Sequence, residues 1–217
     1  MIIGILGLIG SGKGTVARQL VEEFNFEQLS FAGTVKDAVS CIFNWNRDML
    51  EGETPESREW REQVDPWWSD KLGCEITPRK VLQEFGTDIM RNKFNENIWL
   101  YSLENKLKDK KNIVISDVRF PNEIDLVFQH GGVLIEVKRG TPPPWYKTAW
   151  IQNRYGDIMK LEKTMGKDYP EVHPSEWSWV GASVEVTIMN NGSKEALQHS
   201  VRSLVPGILA SMKHLTR

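Results

Sequence analysis

The chain has 217 residues, 40% of them apolar, and a formal net charge of −2. That length supports one α/β domain with insertions, or at most two small domains, and the apolar fraction is enough for a sizeable core. The charge balance asks for neither nucleic acid nor an anionic membrane as partner, and no window approaches the roughly 18 uninterrupted apolar residues of a membrane span. Cys41 and Cys74 have neither metal nor disulfide spacing, which suits a reducing cytoplasmic compartment.

The run Met1-Ile2-Ile3-Gly4-Ile5-Leu6 lacks a basic leader and reads as a buried strand rather than a signal peptide. It feeds Gly7-Leu8-Ile9-Gly10-Ser11-Gly12-Lys13-Gly14-Thr15, in the order strand, glycine loop, helix. Glycines let consecutive backbone N–H groups turn inward around an anion, and the following helix points its positive end at the same place. Gly10, Ser11, Gly12, Lys13, Gly14 and Thr15 are therefore candidate ligands for the phosphates of ATP. Lys13 bridges the terminal phosphates, and the Thr15 hydroxyl lies close to phosphate or Mg²⁺. Gly14 follows the lysine, so the hydroxyl comes one position later than in GTPases and motor ATPases, an order that resembles nucleoside monophosphate kinases. The alternative is a glycine-rich turn with a stray lysine.

Residues 15–24 predict a helix with Val16, Ala17, Leu20, Val21 and Phe24 on one stripe, 28–32 a second strand, and 33–43 a helix with Val35, Ala38, Val39 and Ile42 inward. Residues 44–76 are polar and tryptophan-rich without a clear period. Their tryptophans read chiefly as core filling. Thr77-Pro78 is a helix start, followed by Val81, Leu82, Phe85 and Ile89. Trp99, Leu100, Leu103 and Leu107 mark another helix. Strands at 112–116, 133–137 and 184–188, with helices at 121–129 and after Ser193 (Ala196, Leu197, Val201, Leu204 and Leu209 inward, Pro206 kinking or ending it), complete an alternation. Five strands alternating with helices predict a doubly wound parallel sheet of the P-loop type in a single domain, with 44–111 and 139–182 as insertions at strand ends, where such sheets build ligand sites.

A phosphate loop specifies only a nucleotide, and phosphoryl transfer also needs an anchored acceptor and positive charge around the moving group. Asp117 and Arg119, two apart on an extended segment, point the same way. Asp117 offers a carboxylate for Mg²⁺ or for the acceptor, and Arg119 a fork for phosphate; the alternative is a structural pair capping the next helix. Lys36 and Arg79, each in the first turn of a helix, offer a monophosphate clamp or, alternatively, solvated charges. Gly86 permits close approach of a base or backbone. The segment 139–182 carries Arg139, Lys147, Arg154, Lys160, Lys163 and Lys167 and little patterned apolar surface, which suits a mobile lid with Arg139 and Arg154 reaching the transferring phosphate; the alternative is a solvated loop. No side-chain cluster has metal-ligand spacing, leaving Thr15 and Asp117 as the candidate contacts of Mg²⁺.

These pieces together resemble the deoxynucleoside monophosphate kinases of tailed bacteriophages. The matching stretches are 7–15, 31–38, 82–88, Trp99, 116–123, 173–176 and 188–192, spread in order over almost the whole chain. The resemblance implies ATP- and Mg²⁺-dependent conversion of deoxynucleoside monophosphates to diphosphates, in the host cytoplasm, by a homodimer without nucleic-acid or membrane partners. It implies a catalytic role for Lys13, Asp117 and Arg119, and acceptor binding by Val35, Lys36, Arg79, Gly86, Thr87, Trp99, Asp117, Arg119, Asn122, Glu123, Ser175 and Glu176. Gly14, where the best-known member has an acidic residue, and the longer 139–182 segment depart from the pattern. The residues themselves leave open another small-molecule kinase, such as a dephospho-coenzyme A kinase, or a non-catalytic nucleotide-binding regulator.

Overall fold

The computed structural model describes residues 1–156 and 161–215, with side chains of the last helix described through Met212. In chain order the elements are β1 (Ile2–Leu6), α1 (Lys13–Phe24), β2 (Glu27–Leu29), α2 (Phe31–Phe43), a 3-10 turn (Met49–Glu51), α3 (Pro55–Glu62), α4 (Pro66–Leu72) and α5 (Pro78–Gln83). A π-helical stretch (Glu84–Phe94), α6 (Ile98–Leu107), β3 (Ile113–Ile115), α7 (Pro121–Gln129) and β4 (Val133–Lys138) follow. The chain then runs through α8 (Tyr146–Tyr155), α9 (Met165–Asp168), α10 (Pro174–Trp177), β5 (Val186–Met189) and α11 (Lys194–Leu215). The elements form two compact units, Met1–Leu29 with Asp109–Arg217, and Ser30–Lys108.

The first unit holds the expected five-stranded sheet, wholly parallel, in the order β2-β3-β1-β4-β5. All five residues of β1 are buried, as a central strand covered on both faces requires. One face packs Ile3, Ile5, Val114, Ile135, Val137 and Ile188 against Val16, Ala17 and Leu20 of α1 and Leu197, Val201 and Val205 of α11. Val21, expected inward, is exposed. The left-handed turn at Asn25 (φ 57°) brings Phe26 back into the core, with its N–H on the Leu20 carbonyl.

Pro206 neither ends nor caps α11, which runs through it. Ser193 accepts from the Ala196 N–H at the start of that helix, while Ala196 and Leu204 face solvent. The inner stripe is Leu197, Val201, Val205, Ile208 and Met212. Pro206 lies on the exposed face, and each buried apolar side chain returns about 1.5–3 kcal/mol against a proline penalty of about 3 kcal/mol. The 139–182 segment also differs from expectation: Ala149, Met165, Trp179 and Val180 are buried, so it does carry apolar anchors. Lys160 lies outside the described residues.

In the second unit, Val35, Val39, Trp45, Leu50, Ile76, Val81 and Trp99 are buried together, with Phe43, Trp60 and Trp68 packed against them. Phe43 stacks on Trp45 at 4.5 Å between ring centroids, and Trp60 meets Trp45 edge-on. Residues 44–76, without a clear period, hold two short helices that start as α5 does: Thr54 before Pro55 and Asp65 before Pro66 cap α3 and α4. Trp67 and Ile42 are exposed rather than inward, and β2 stops at Leu29 because α2 begins at Phe31. Ile89 is exposed as well, because wider π turns rotate it out of the 3.6-residue stripe that Val81 and Phe85 begin.

Candidate functional site

The glycine loop between β1 and α1 is shaped by backbone that only glycine adopts readily. Gly7 has φ 145°, and a Cβ there would lie 2.4 Å from the Val137 carbonyl oxygen. Gly12 has φ 107° and stands at the N-cap of α1, where it offers no side chain to satisfy the first amides. Lys13 folds back over the loop, its Nζ donating to the Gly7 and Leu8 carbonyls at 2.7 and 2.9 Å. Burial pulls its pKa down to about 8; Arg119 adds to the drop, while Glu176 and Asp117 oppose it. Lys13 is therefore a tucked-in cation rather than a solvent-facing one. Behind the loop, the buried Asn190 donates from Nδ2 to the Ser11 carbonyl at 2.8 Å, and Asn191 Oδ1 accepts from the Gly140 N–H at 2.8 Å.

The strand β3 runs out into the Asp117-Val118-Arg119 turn. The strand expected to run on through this segment instead ends at Ile115 and turns at Ser116 and Asp117; Val118 is buried, while Asp117 and Arg119 are half-exposed. The Arg119 guanidinium donates to Glu176 Oε1 at 3.0 Å and reaches Ser175 Oγ at 3.5 Å. Glu123, buried, accepts the Arg119 and Phe120 backbone N–H groups at 2.7 and 3.1 Å. That makes Glu123 the cap of α7 and a support for the Arg119 backbone. Asn122 is half-buried beside it in the first turn. Lys13, Asp117, Arg119 and Glu176 thus form one electrostatic group.

In the second unit Lys36 is paired with Glu51 at 2.5 Å, and Arg47 bridges Glu51 and Asp37. Burial alone would raise the Glu51 carboxyl, but Lys36 and Arg47 hold it below the usual carboxylate value. Arg79 is paired with Glu62. The two expected clamp cations therefore each have a carboxylate of their own. Near Arg79, Glu62 and Glu51 lies Arg61, which sequence reading does not single out; it is half-buried, its Nε has no partner among the described residues, and burial and then Arg79 lower its pKa. The Trp99 indole donates to the Gly86 carbonyl at 2.8 Å, and a Cβ on Gly86 would lie 3.2 Å from Val35 Cγ1. Val35, Gly86 and Trp99 are thus one packed group, with Thr87 half-buried on the π-helical stretch.

Of the two lid candidates, Arg139 is exposed at the end of β4. Arg154 lies over the Trp150 ring at 5.7 Å and donates at 3.4 Å to the Gly181 carbonyl. Among the described residues no group of three or more His, Cys, Asp or Glu could hold a metal ion. Thr15 and Asp117 supply oxygen donors, which fits Mg²⁺, an ion held through one or two protein oxygens plus substrate phosphates. No helix of the described residues is long and apolar enough to cross a membrane.

A glycine loop at the carboxyl edge of a parallel sheet ordered 2-3-1-4-5 defines a P-loop nucleotide-binding fold. The family model for deoxynucleotide monophosphate kinase matches residues 68–143. A protein of Acanthamoeba polyphaga mimivirus, whose name carries the term deoxynucleotide monophosphate kinase, is 36% identical over 191 residues, covering 79% of this chain and 94% of that one. The deoxynucleoside-5'-monophosphate kinase of Escherichia phage T5 is 29% identical over 180 residues, covering 58% and 71%. Among solved structures, the shikimate kinase of Aquifex aeolicus is similar at a TM-score of 0.43 and 13% identity, covering 97% and 99%. The chain belongs to the deoxynucleotide monophosphate kinase family.

Proposed function

We propose that this chain is an enzyme that transfers the γ-phosphoryl group of ATP to a deoxynucleoside monophosphate. The observation that carries the reading is the glycine loop with Lys13 folded onto it, electrostatically joined to Asp117, Arg119 and Glu176. An acceptor phosphate oxygen attacks the γ-phosphorus, the bond to the bridging oxygen breaks, and ADP leaves. Such chemistry needs positioning and charge neutralisation more than covalent help. The amides of Gly10 to Thr15 hold the donor phosphates, and Lys13 leaves its two carbonyls to meet the developing charge. Arg119, already steered by Glu176 and anchored through its backbone by Glu123, takes a phosphate with its fork. Thr15 and Asp117 would hold Mg²⁺, which when bound neutralises donor phosphate charge.

For the acceptor we assign Asp117, Arg119, Asn122, Glu123, Ser175 and Glu176 in the sheet unit, and Val35, Lys36, Arg79, Gly86, Thr87 and Trp99 in the other. Arg61 joins the second set, because its buried Nε has no hydrogen-bond partner among the described residues and an anion would supply one. The 30–108 unit, within the 44–111 expectation apart from its first helix, acts as substrate-binding insertion. The 139–182 segment covers the donor phosphates with Arg139 and Arg154. Two viral relatives support action in the cytoplasm of a host; a homodimer is part of the same proposal. Coupled ADP-release assays with each of the four deoxynucleoside monophosphates, with dephospho-coenzyme A and without acceptor test the reading. Turnover confined to deoxynucleoside monophosphates is expected. Turnover on dephospho-coenzyme A alone, or ATP binding without turnover on any acceptor, would overturn it.

A further inference from the structure

We infer that Asn190, at the exit of β5, is a positioning residue that locks the donor loop in its anion-binding orientation; this rests on the donor-site reading above. The Asn190 side chain is buried, and its Nδ2 donates to the Ser11 carbonyl oxygen at 2.8 Å. Its backbone is fixed in turn, since the Asn190 N–H donates to the Lys138 carbonyl at 2.7 Å. A Cβ built on Gly12 would lie 2.5 Å from Asn190 Nδ2 and 3.4 Å from Leu197 Cδ2, so the amide packs directly on the Gly12 backbone.

Peptide planarity gives that contact its consequence. In a trans peptide the Ser11 C=O and the Gly12 N–H lie in one plane and point in opposite directions. Holding the oxygen on Asn190 therefore turns the Gly12 N–H to the opposite side, away from the sheet. Gly12, at φ 107°, is the residue at which this peptide could most easily rotate, because glycine tolerates both signs of φ. A flipped Ser11–Gly12 peptide would present a carbonyl oxygen where the loop must present a donor, and the interaction with phosphate would become repulsive. Asn190 opposes that flip before any nucleotide arrives, lowering the ordering cost of binding. The neighbouring Asn191 faces the other way and holds Gly140 at the root of the 139–182 segment. Ser193, a little further on, only caps α11 and supplies a control close to the same turn.

The test is calorimetric ADP binding to the full chain, with steady-state kinetics beside it. Asn190→Asp keeps the size but removes the donor, and Asn190→Leu removes both polar atoms. Each should weaken ADP about tenfold or more, the scale of losing one buried hydrogen bond and leaving its acceptor unpaired. The KM for ATP should rise by the same factor while the KM for the monophosphate stays within about twofold. Ser193→Ala, which removes only the side-chain cap of α11, should bind ADP within about twofold of the unaltered chain. Equal binding by both Asn190 variants, or an equal loss in Ser193→Ala, would overturn the inference while leaving the donor site standing. Failure of the unaltered chain to bind ADP would overturn the donor site itself, and the inference with it. Should the Asn190 variants not fold, the unaltered chain still decides: its Asn190 side-chain amide protons should exchange slowly by NMR and shift when ADP binds. Fast exchange, or no shift, would overturn the proposal.

Discussion

The two compact units hold their charge in opposite ways. In the sheet unit the loop from Gly7 to Gly12 offers backbone amides, a helix start without a side-chain cap and one lysine folded onto carbonyls. In the Ser30–Lys108 unit the charge is carried by side chains, and most of it is already spent: Lys36 on Glu51, Arg47 on Glu51 and Asp37, Arg79 on Glu62. A backbone site is fixed by the fold and its shape is hard to alter except through glycine. The side-chain cations are paired with carboxylates, which on the proposed reading a ligand phosphate would replace. The first kind gives a strong common grip on phosphate, and the second gives room for selectivity.

The sharpest way to break the comparison is at Lys13. Lys13→Ala should cut kcat by roughly a hundredfold or more, the scale on which a charged donor stabilises a transition state, with the melting temperature little changed. Turnover within about threefold of the unaltered enzyme, about 0.65 kcal/mol, would remove the phosphate-loop assignment. Arg119→Ala comes next. Its kcat/KM for the monophosphate should fall by about 10- to 100-fold, with a smaller change for ATP. Lost stability with unchanged kinetics would make Arg119 and Glu176 a structural pair.

Within the second unit, Arg61→Ala should raise the monophosphate KM by roughly tenfold, about 1.4 kcal/mol, and more than Arg79→Ala does, because Arg79 already has a carboxylate to leave. The reverse order of the two effects would return Arg61 to a purely structural role. Trp99→Phe removes the indole donor and strands the Gly86 carbonyl, so chemical denaturation should report a loss of about 1–3 kcal/mol. An unchanged denaturation midpoint would mean that this hydrogen bond does not hold the π-helical stretch.

The same contrast explains what can be read from sequence. Gly7 to Thr15 is legible as a loop because its glycines are spaced after an apolar strand, and β1, β3, β4 and β5 are legible because each is a chiefly apolar run between helices, whereas β2 is Glu-Gln-Leu and largely exposed. Asp117 and Arg119 stand out at a strand's end, but the chain turns at Ser116 and Asp117, so their shared exposure around the buried Val118 is not set by strand periodicity. Arg61 escapes notice because an arginine on a polar helix looks solvated until its burial is known. The π turns that expose Ile89 leave no period a 3.6-residue reading can detect. Pro206 misleads for a related reason: its local penalty is visible in sequence, whereas the burial of Val205, Ile208 and Met212 around it is tertiary. Asn190 and Asn191 are visible as a strand end, but only the fold shows that adjacent side chains hold two different loops.

The gentlest test uses pH. With a pKa of about 8 in the ligand-free protein, Lys13 is about half charged at pH 8 and about one-tenth charged at pH 9. A polyphosphate favours the charged form, so its binding must draw a proton onto Lys13 at this pH. ADP affinity should therefore fall as pH rises through 8, approaching about tenfold per pH unit, while calorimetry in two buffers shows proton uptake. Stability runs the other way. The unfolded lysine keeps its ordinary value of 10.5, so the unfolded chain holds more protons between about pH 8 and 10.5, and this residue makes the fold relatively more stable as pH rises across that window. Lys13→Met should abolish both trends. A binding profile flat to pH 10 in the unaltered chain would mean that burial does not hold the Lys13 pKa down, and the sheet unit's half of the contrast would lose its electrostatic part.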